Sequence, residues 1–136
     1  MVSARVLVVD DDPDIIDYFS SFLGDLGYEV RSAPNGESAL AMLGDFNPNI
    51  VLLDVLMPGK SGLDLLVRIR RHPHWRDLPV VVVTGNDQIL GDDCRSYLSS
   101  FDDVAGPDAV LGKPVDREVL VRLLEELSGP NGGQPA

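Results

Sequence analysis

Four aspartates stand at the ends of two apolar runs. Asp10, Asp11 and Asp12 close Val6-Leu7-Val8-Val9, and Asp54 closes Ile50-Val51-Leu52-Leu53. Both runs are short and rich in β-branched residues, the composition of a strand buried on both faces. Each run therefore delivers carboxylates to the carboxyl edge of a sheet, where open α/β folds place their sites. Carboxylates crowded at one edge repel one another unless a cation sits among them. Two further residues close apolar runs later in the chain, Thr84 after Val80 to Val83 and Lys113 just beyond Ala109-Val110-Leu111.

These residue types suit phosphoryl transfer. A carboxylate such as Asp54 can attack phosphorus and form an acyl phosphate. That reaction asks the protein mainly for positioning and charge neutralisation. Magnesium fits the donor set, because it prefers oxygen ligands in octahedral geometry and retains waters. Asp11, Asp54 and a backbone carbonyl just after Asp54 are the expected metal ligands, with Asp10 reaching the ion directly or through water. Lys113 would neutralise a phosphoryl oxygen, and the Thr84 hydroxyl would donate to another.

The elements that must position this set alternate strand and helix. Asp12 is the expected N-cap of a helix beginning at Pro13, whose apolar positions Ile15, Phe19, Phe22, Leu23 and Leu26 recur at helical spacing before Gly27. A second strand spans 29–33, a short helix 36–44 and a third strand 50–53. A helix over 63–71 has Leu65, Leu66 and Ile69 on its apolar side, and His72-Pro73 ends it. A fourth strand covers 79–83, a helix with a thin apolar stripe 92–101, a short fifth strand 109–111 and a final helix 117–127. Five such units make an α/β fold, a doubly wound parallel sheet with helices on both faces. The expected strand order is 2-1-3-4-5, one of the two common arrangements for such a chain; it would set the first and third strands side by side, so that Asp10 and Asp11 face Asp54.

With these residues in place, the chain resembles a receiver domain of bacterial two-component response regulators, the flavodoxin-like CheY family. Val8-Val9-Asp10-Asp11 resembles the family's acidic pair, and Leu53-Asp54-Val55-Leu56-Met57-Pro58-Gly59-Lys60-Ser61-Gly62 its phosphoacceptor strand and following loop. Val83-Thr84-Gly85 and Gly112-Lys113-Pro114 match the switch-hydroxyl strand and the Lys-Pro site. The match runs over residues 4–127. The resemblance implies that Asp54 takes a phosphoryl group from a histidine kinase or histidine phosphotransfer protein with Mg2+, and that the Leu56 backbone carbonyl joins the metal. It implies that Thr84 moves toward the phosphate, which alters preference for a downstream protein target and could drive phosphorylation-dependent homodimerisation. The protein would be a signalling switch and not an enzyme, catalysing only its own phosphorylation and dephosphorylation.

The sequence also departs from that family. Val110 stands where an aromatic residue is usual, and the stretch from Thr84 to Lys113 is longer than usual. Its Gly91-Asp92-Asp93 and Gly106-Pro107-Asp108 segments do not resemble the family's usual helix and turn. These departures favour an alternative, a pseudo-receiver that acts as a phosphorylation-independent interaction module; the complete set Asp10, Asp11, Asp54, Thr84 and Lys113 opposes it. A calcium loop counted from Asp10 would need a sixth-position Gly and a twelfth-position Glu, and both are missing. A haloacid dehalogenase-type phosphatase would need a second Asp two residues after the nucleophile, where Leu56 stands.

Composition narrows the remaining classes. A net charge of −11 opposes a nucleic-acid surface, which needs a basic face. Cys94 is the only cysteine, so no internal disulfide can form, which fits a reducing cytoplasm. No segment has the length of a membrane span or the shape of a signal peptide. The expected organisation is one domain over 1–127 and a flexible Gly/Pro-rich tail or linker over 128–136. Asp14 and Asp17 read as a solvated helix face, His72 and His74 as surface groups, Trp75 as a packing residue, Cys94 as a small half-buried one and Lys60 as a solvated turn residue.

Overall fold

The computed structural model describes residues 4–54, 61–84, 108–112 and 116–128. The strands are β1 (Arg5–Val9), β2 (Glu29–Ala33), β3 (Ile50–Asp54), β4 (Val80–Thr84) and β5 (Ala109–Gly112). The helices are α1 (Pro13–Asp25), α2 (Gly36–Phe46), α3 (Ser61–Arg71) and α4 (Arg117–Ser128). All strand pairs are parallel, and the sheet order is β2-β1-β3-β4-β5. The expected helix over 92–101 and residues 129–136 lie outside the described residues, as do Lys60 and Cys94.

Strand periodicity explains why helices cover both faces. Alternate side chains of one strand point to opposite faces. Leu7, Val9, Val51, Leu53 and Val80 thus join Ala39, Leu43 and Phe46 of α2 and Leu65, Leu66 and Ile69 of α3 in one core. Their neighbours Val6, Val8, Ile50, Leu52, Val81 and Val83 join Phe19 and Leu23 of α1 and Leu120 and Leu124 of α4 in the other. A central strand with a polar face could not serve both cores, which is why β1, β3 and β4 read as continuous apolar runs.

The helix ends follow side-chain capping. Asp12 accepts from the Asp14 N–H at 2.9 Å and starts α1 with Pro13 in its first turn. Asn35 accepts from the Ser38 N–H at 2.9 Å and starts α2. Gly27 follows α1 at φ +96°, a left-handed backbone that glycine adopts without penalty. α2 continues past Gly44, where the sequence suggested an end, to Phe46. Phe46 is buried in the core and Asn47 supplies the left-handed cap at φ 53°. Gly24 and Gly44 are therefore exposed positions inside helices, with open space where a Cβ would stand. Gly24→Ala and Gly44→Ala should each raise stability by about 0.5–1 kcal/mol, read as an increase in urea midpoint at unchanged slope.

α4 and α1 meet through Arg117. Its Nε donates to the Tyr18 hydroxyl at 2.9 Å, and its guanidinium lies 5.5 Å and 5.3 Å from the Tyr18 and Phe22 ring centres. Tyr28 packs beside the same core. Burial, and then the nearby Glu125 charge, raise its phenol above the ordinary value of 10.0. This contribution to stability is whole below pH 10, and it is lost as pH rises through the folded-state value. Urea midpoints measured at about pH 9 and 11 should therefore fall more for the wild type than for Tyr28→Phe.

Candidate acidic site at the carboxyl edge of the sheet

Parallel pairing of β1 with β3 brings the two acidic strand ends together. Val9 pairs in register with Leu53, so Asp10 and Asp54 are the next residues along neighbouring strands. The Asp10 N–H still donates to Ala33 O at 3.1 Å, which keeps Asp10 in line with the sheet before the chain turns into α1. Its Oδ1 accepts from the Asp12 N–H at 2.9 Å and shapes that turn. Asp12 in turn points its carboxylate into the helix start, so it works as a cap.

Asp10, Asp11 and Asp54 each offer a carboxylate oxygen, and these atoms all lie within 4.8 Å of one another. Asp10 is 3% exposed and Asp54 5%, whereas Asp11 faces solvent. Two unit charges about 5 Å apart repel by roughly 3 kcal/mol at an effective dielectric of about 20. An all-oxygen, all-anionic donor set with two buried members and one open to solvent suits a hard divalent cation that keeps some of its waters. It offers nothing that favours a soft metal, since no thiolate or imidazole is in the group.

β4 and β5 bring the remaining edge alongside. Asp54 is in register with Val83, so Thr84 is the next residue of β4, and Thr84 pairs with Gly112 of β5. Lys113 follows Gly112 in sequence. The Thr84 and Val110 side chains, Leu56 and Lys113 lie outside the described residues. His72 and His74 are exposed: the His72 Nδ1 accepts from the His74 N–H at 3.0 Å, and His74 stands edge-on to Trp75, which packs against the core. Neither histidine approaches the acidic group.

Sequence reasoning passed over one polar feature at the opposite edge. Arg70 of α3 is buried, donating Nη1 to Leu78 O at 2.6 Å and to Arg76 O at 3.2 Å, and Nη2 to Asp108 Oδ2 at 2.9 Å. The signal was available, because Arg70 stands four residues after Leu66 and so shares its core-facing side of the helix.

Comparison with known proteins bears on what this arrangement is for. The family model described as "Response regulator receiver domain" matches residues 6–125. The DNA-binding dual master transcriptional regulator RpaA of Synechocystis sp. is 34% identical over 120 residues, covering 88% of this chain and 47% of that protein. The chain thus spans about half the length of that relative. The Vibrio cholerae chemotaxis protein CheY4 superposes with a TM-score of 0.78 at 27% identity, covering 92% of this chain and 98% of the other. Response regulator TrrA of Thermotoga maritima, solved in complex with Mg(2+)-BeF, gives a TM-score of 0.71 at 30% identity, covering 90% and 97%. Among the described residues, no helix is long and apolar enough to cross a membrane.

Proposed function

Because the chain belongs to the response regulator receiver domain family of two-component signalling, we propose that it is a phosphoacceptor switch whose acceptor is Asp54. The observation that carries this reading is the convergence of Asp10, Asp11 and Asp54 at one strand edge, with carboxylate oxygens within 4.8 Å. Residues 1–127 form the receiver unit on this reading, and 128–136 follow it as a tail.

The donor is a phosphohistidine on a histidine kinase or a phosphotransfer protein. An Asp54 carboxylate oxygen attacks phosphorus, the O–P bond forms as the N–P bond breaks, and the departing imidazole keeps the nitrogen electron pair and takes a proton. The product is an acyl phosphate on Asp54, which water later cleaves to carboxylate and phosphate. Asp10, Asp11, Asp54 and the Leu56 carbonyl would hold Mg2+, which when bound neutralises charge on the phosphoryl oxygens. Burial of Asp54 limits water access to the acceptor. Lys113 pairs with a phosphoryl oxygen, and the Thr84 hydroxyl donates to another. The added charge shifts the segment after β4 and so changes affinity for a downstream protein.

Magnesium-dependent binding of beryllofluoride, followed by calorimetry, tests this reading. We expect one equivalent to bind with Mg2+ present, and none after chelation or in Asp54→Asn. Absence of binding to the wild type with Mg2+ present would instead favour an interaction module that works without phosphorylation.

A further inference from the structure

β5 has to deliver the chain to the acidic edge, yet its own sequence specifies its register weakly. It is a four-residue strand, Ala-Val-Leu-Gly, at the edge of the sheet with only β4 beside it. Sliding it by two residues would keep each side chain on its face and move the following residue by about 7 Å. Asp108, immediately before β5, provides what the strand lacks. Its N–H donates to Val80 O at 2.8 Å, while its Oδ2 accepts from the Val80 N–H at 2.8 Å and from Arg70 Nη2 at 2.9 Å. The Arg70 side chain is only 5% exposed and that of Asp108 36%. Arg70 is held in turn by the Leu78 and Arg76 carbonyls, so the lock joins the end of α3, the start of β4 and the start of β5.

We propose that Asp108 is a positioning residue for phosphoryl transfer. The Arg70–Asp108 pair fixes the register of β5 on β4 and thereby the place where the chain delivers Lys113, four strand residues away. This rests on the reading of Asp54 as phosphoacceptor and Lys113 as its charge partner. Asp10, Asp11 and Asp54 come from β1, β3 and the turn after β1, so metal binding should not depend on the lock. A displacement of about 1 Å in a reacting group can cost on the order of 100-fold in rate.

The test measures the rate of labelling by acetyl phosphate at saturating Mg2+, and Mg2+ affinity by calorimetry, at a temperature where each variant is folded by circular dichroism. Asp108→Ala should label about 10- to 100-fold more slowly while its Mg2+ affinity stays within about twofold. Asp108→Asn keeps an acceptor for the Val80 N–H but loses the charge facing Arg70, and should fall between; it and Arg70→Lys carry the comparison if Asp108→Ala does not fold. In a Lys113→Ala background, loss of Asp108 should have little further effect, because both changes act through the same residue. A wild-type labelling rate in the Asp108 variants would overturn the proposal. So would a matching loss of Mg2+ affinity, or an undiminished effect in the Lys113→Ala background. If the wild type itself takes no phosphoryl group, the Asp54 reading fails; if it does and the Asp108 variants match it, only the positioning role fails.

Discussion

Asp54→Asn should leave the protein unlabelled by acetyl phosphate, with no mass increase of about 80 Da under conditions that label the wild type. The carboxamide matches the carboxylate in size but has lost the anionic oxygen that attacks phosphorus. Because positioning and charge supply nearly all of this catalysis, no neighbouring group can take over the step. Asp10 and Asp11 are carboxylates too, yet on this account they are committed to the cation. The expected loss is at least about 1,000-fold in rate, larger than the roughly 100-fold ascribed to misplacing a reacting group. Asp54 also counts among the proposed metal ligands, so each protein should be assayed at Mg2+ well above its own dissociation constant. Residual labelling of the variant above one-tenth of the wild-type rate would place the acceptor elsewhere.

Asp11→Asn should weaken Mg2+ binding by about 30-fold while leaving the fold intact. A doubly charged ion and one carboxylate about 4 Å apart attract by about 2 kcal/mol even in the dielectric of water, and about 1.4 kcal/mol is a factor of ten in affinity. Asp11 is the solvent-facing member of the trio, so its replacement disturbs little packing. Removing one of three mutually repelling charges should also make the metal-free protein slightly more stable, by about 0.5–1 kcal/mol after solvent screening. The two effects have opposite signs: thermal melts should show Asp11→Asn above the wild type in chelator and below it at millimolar Mg2+. A variant that melts lower in both conditions would mean that Asp11 is structural.

The fold was legible because burial leaves a simple mark. β1, β3 and β4 supply side chains to both cores, so they had to be apolar throughout, and the interrupting residues at their carboxyl ends stood out. Alternating strands and helices left two common strand orders open; the sheet has the expected one, 2-1-3-4-5, and the meeting of Asp10, Asp11 and Asp54 follows from it. The pairing of Arg70 with Asp108 was less legible. A reading by apolar periodicity groups Leu65, Leu66 and Ile69 and passes over a charged residue on the same side, although a buried guanidinium is tolerated when carbonyls and a carboxylate meet it. The end of α2 was also misplaced by two residues. Gly44 looks like a stop, but the helix ends where Phe46 has reached the core and Asn47 adopts the left-handed cap. Local backbone preference lost there to burial.

The central claim is that this acidic edge makes Asp54 a magnesium-dependent phosphoacceptor. The most direct measurement incubates the wild-type protein with acetyl phosphate, with Mg2+ or with chelator, weighs it intact, and maps the modified peptide after reductive trapping of the acyl phosphate. One added phosphoryl group, confined to the peptide containing Asp54 and absent in chelator, is the predicted result. Labelling that survives chelation, or that maps to a peptide without Asp54, would contradict the account.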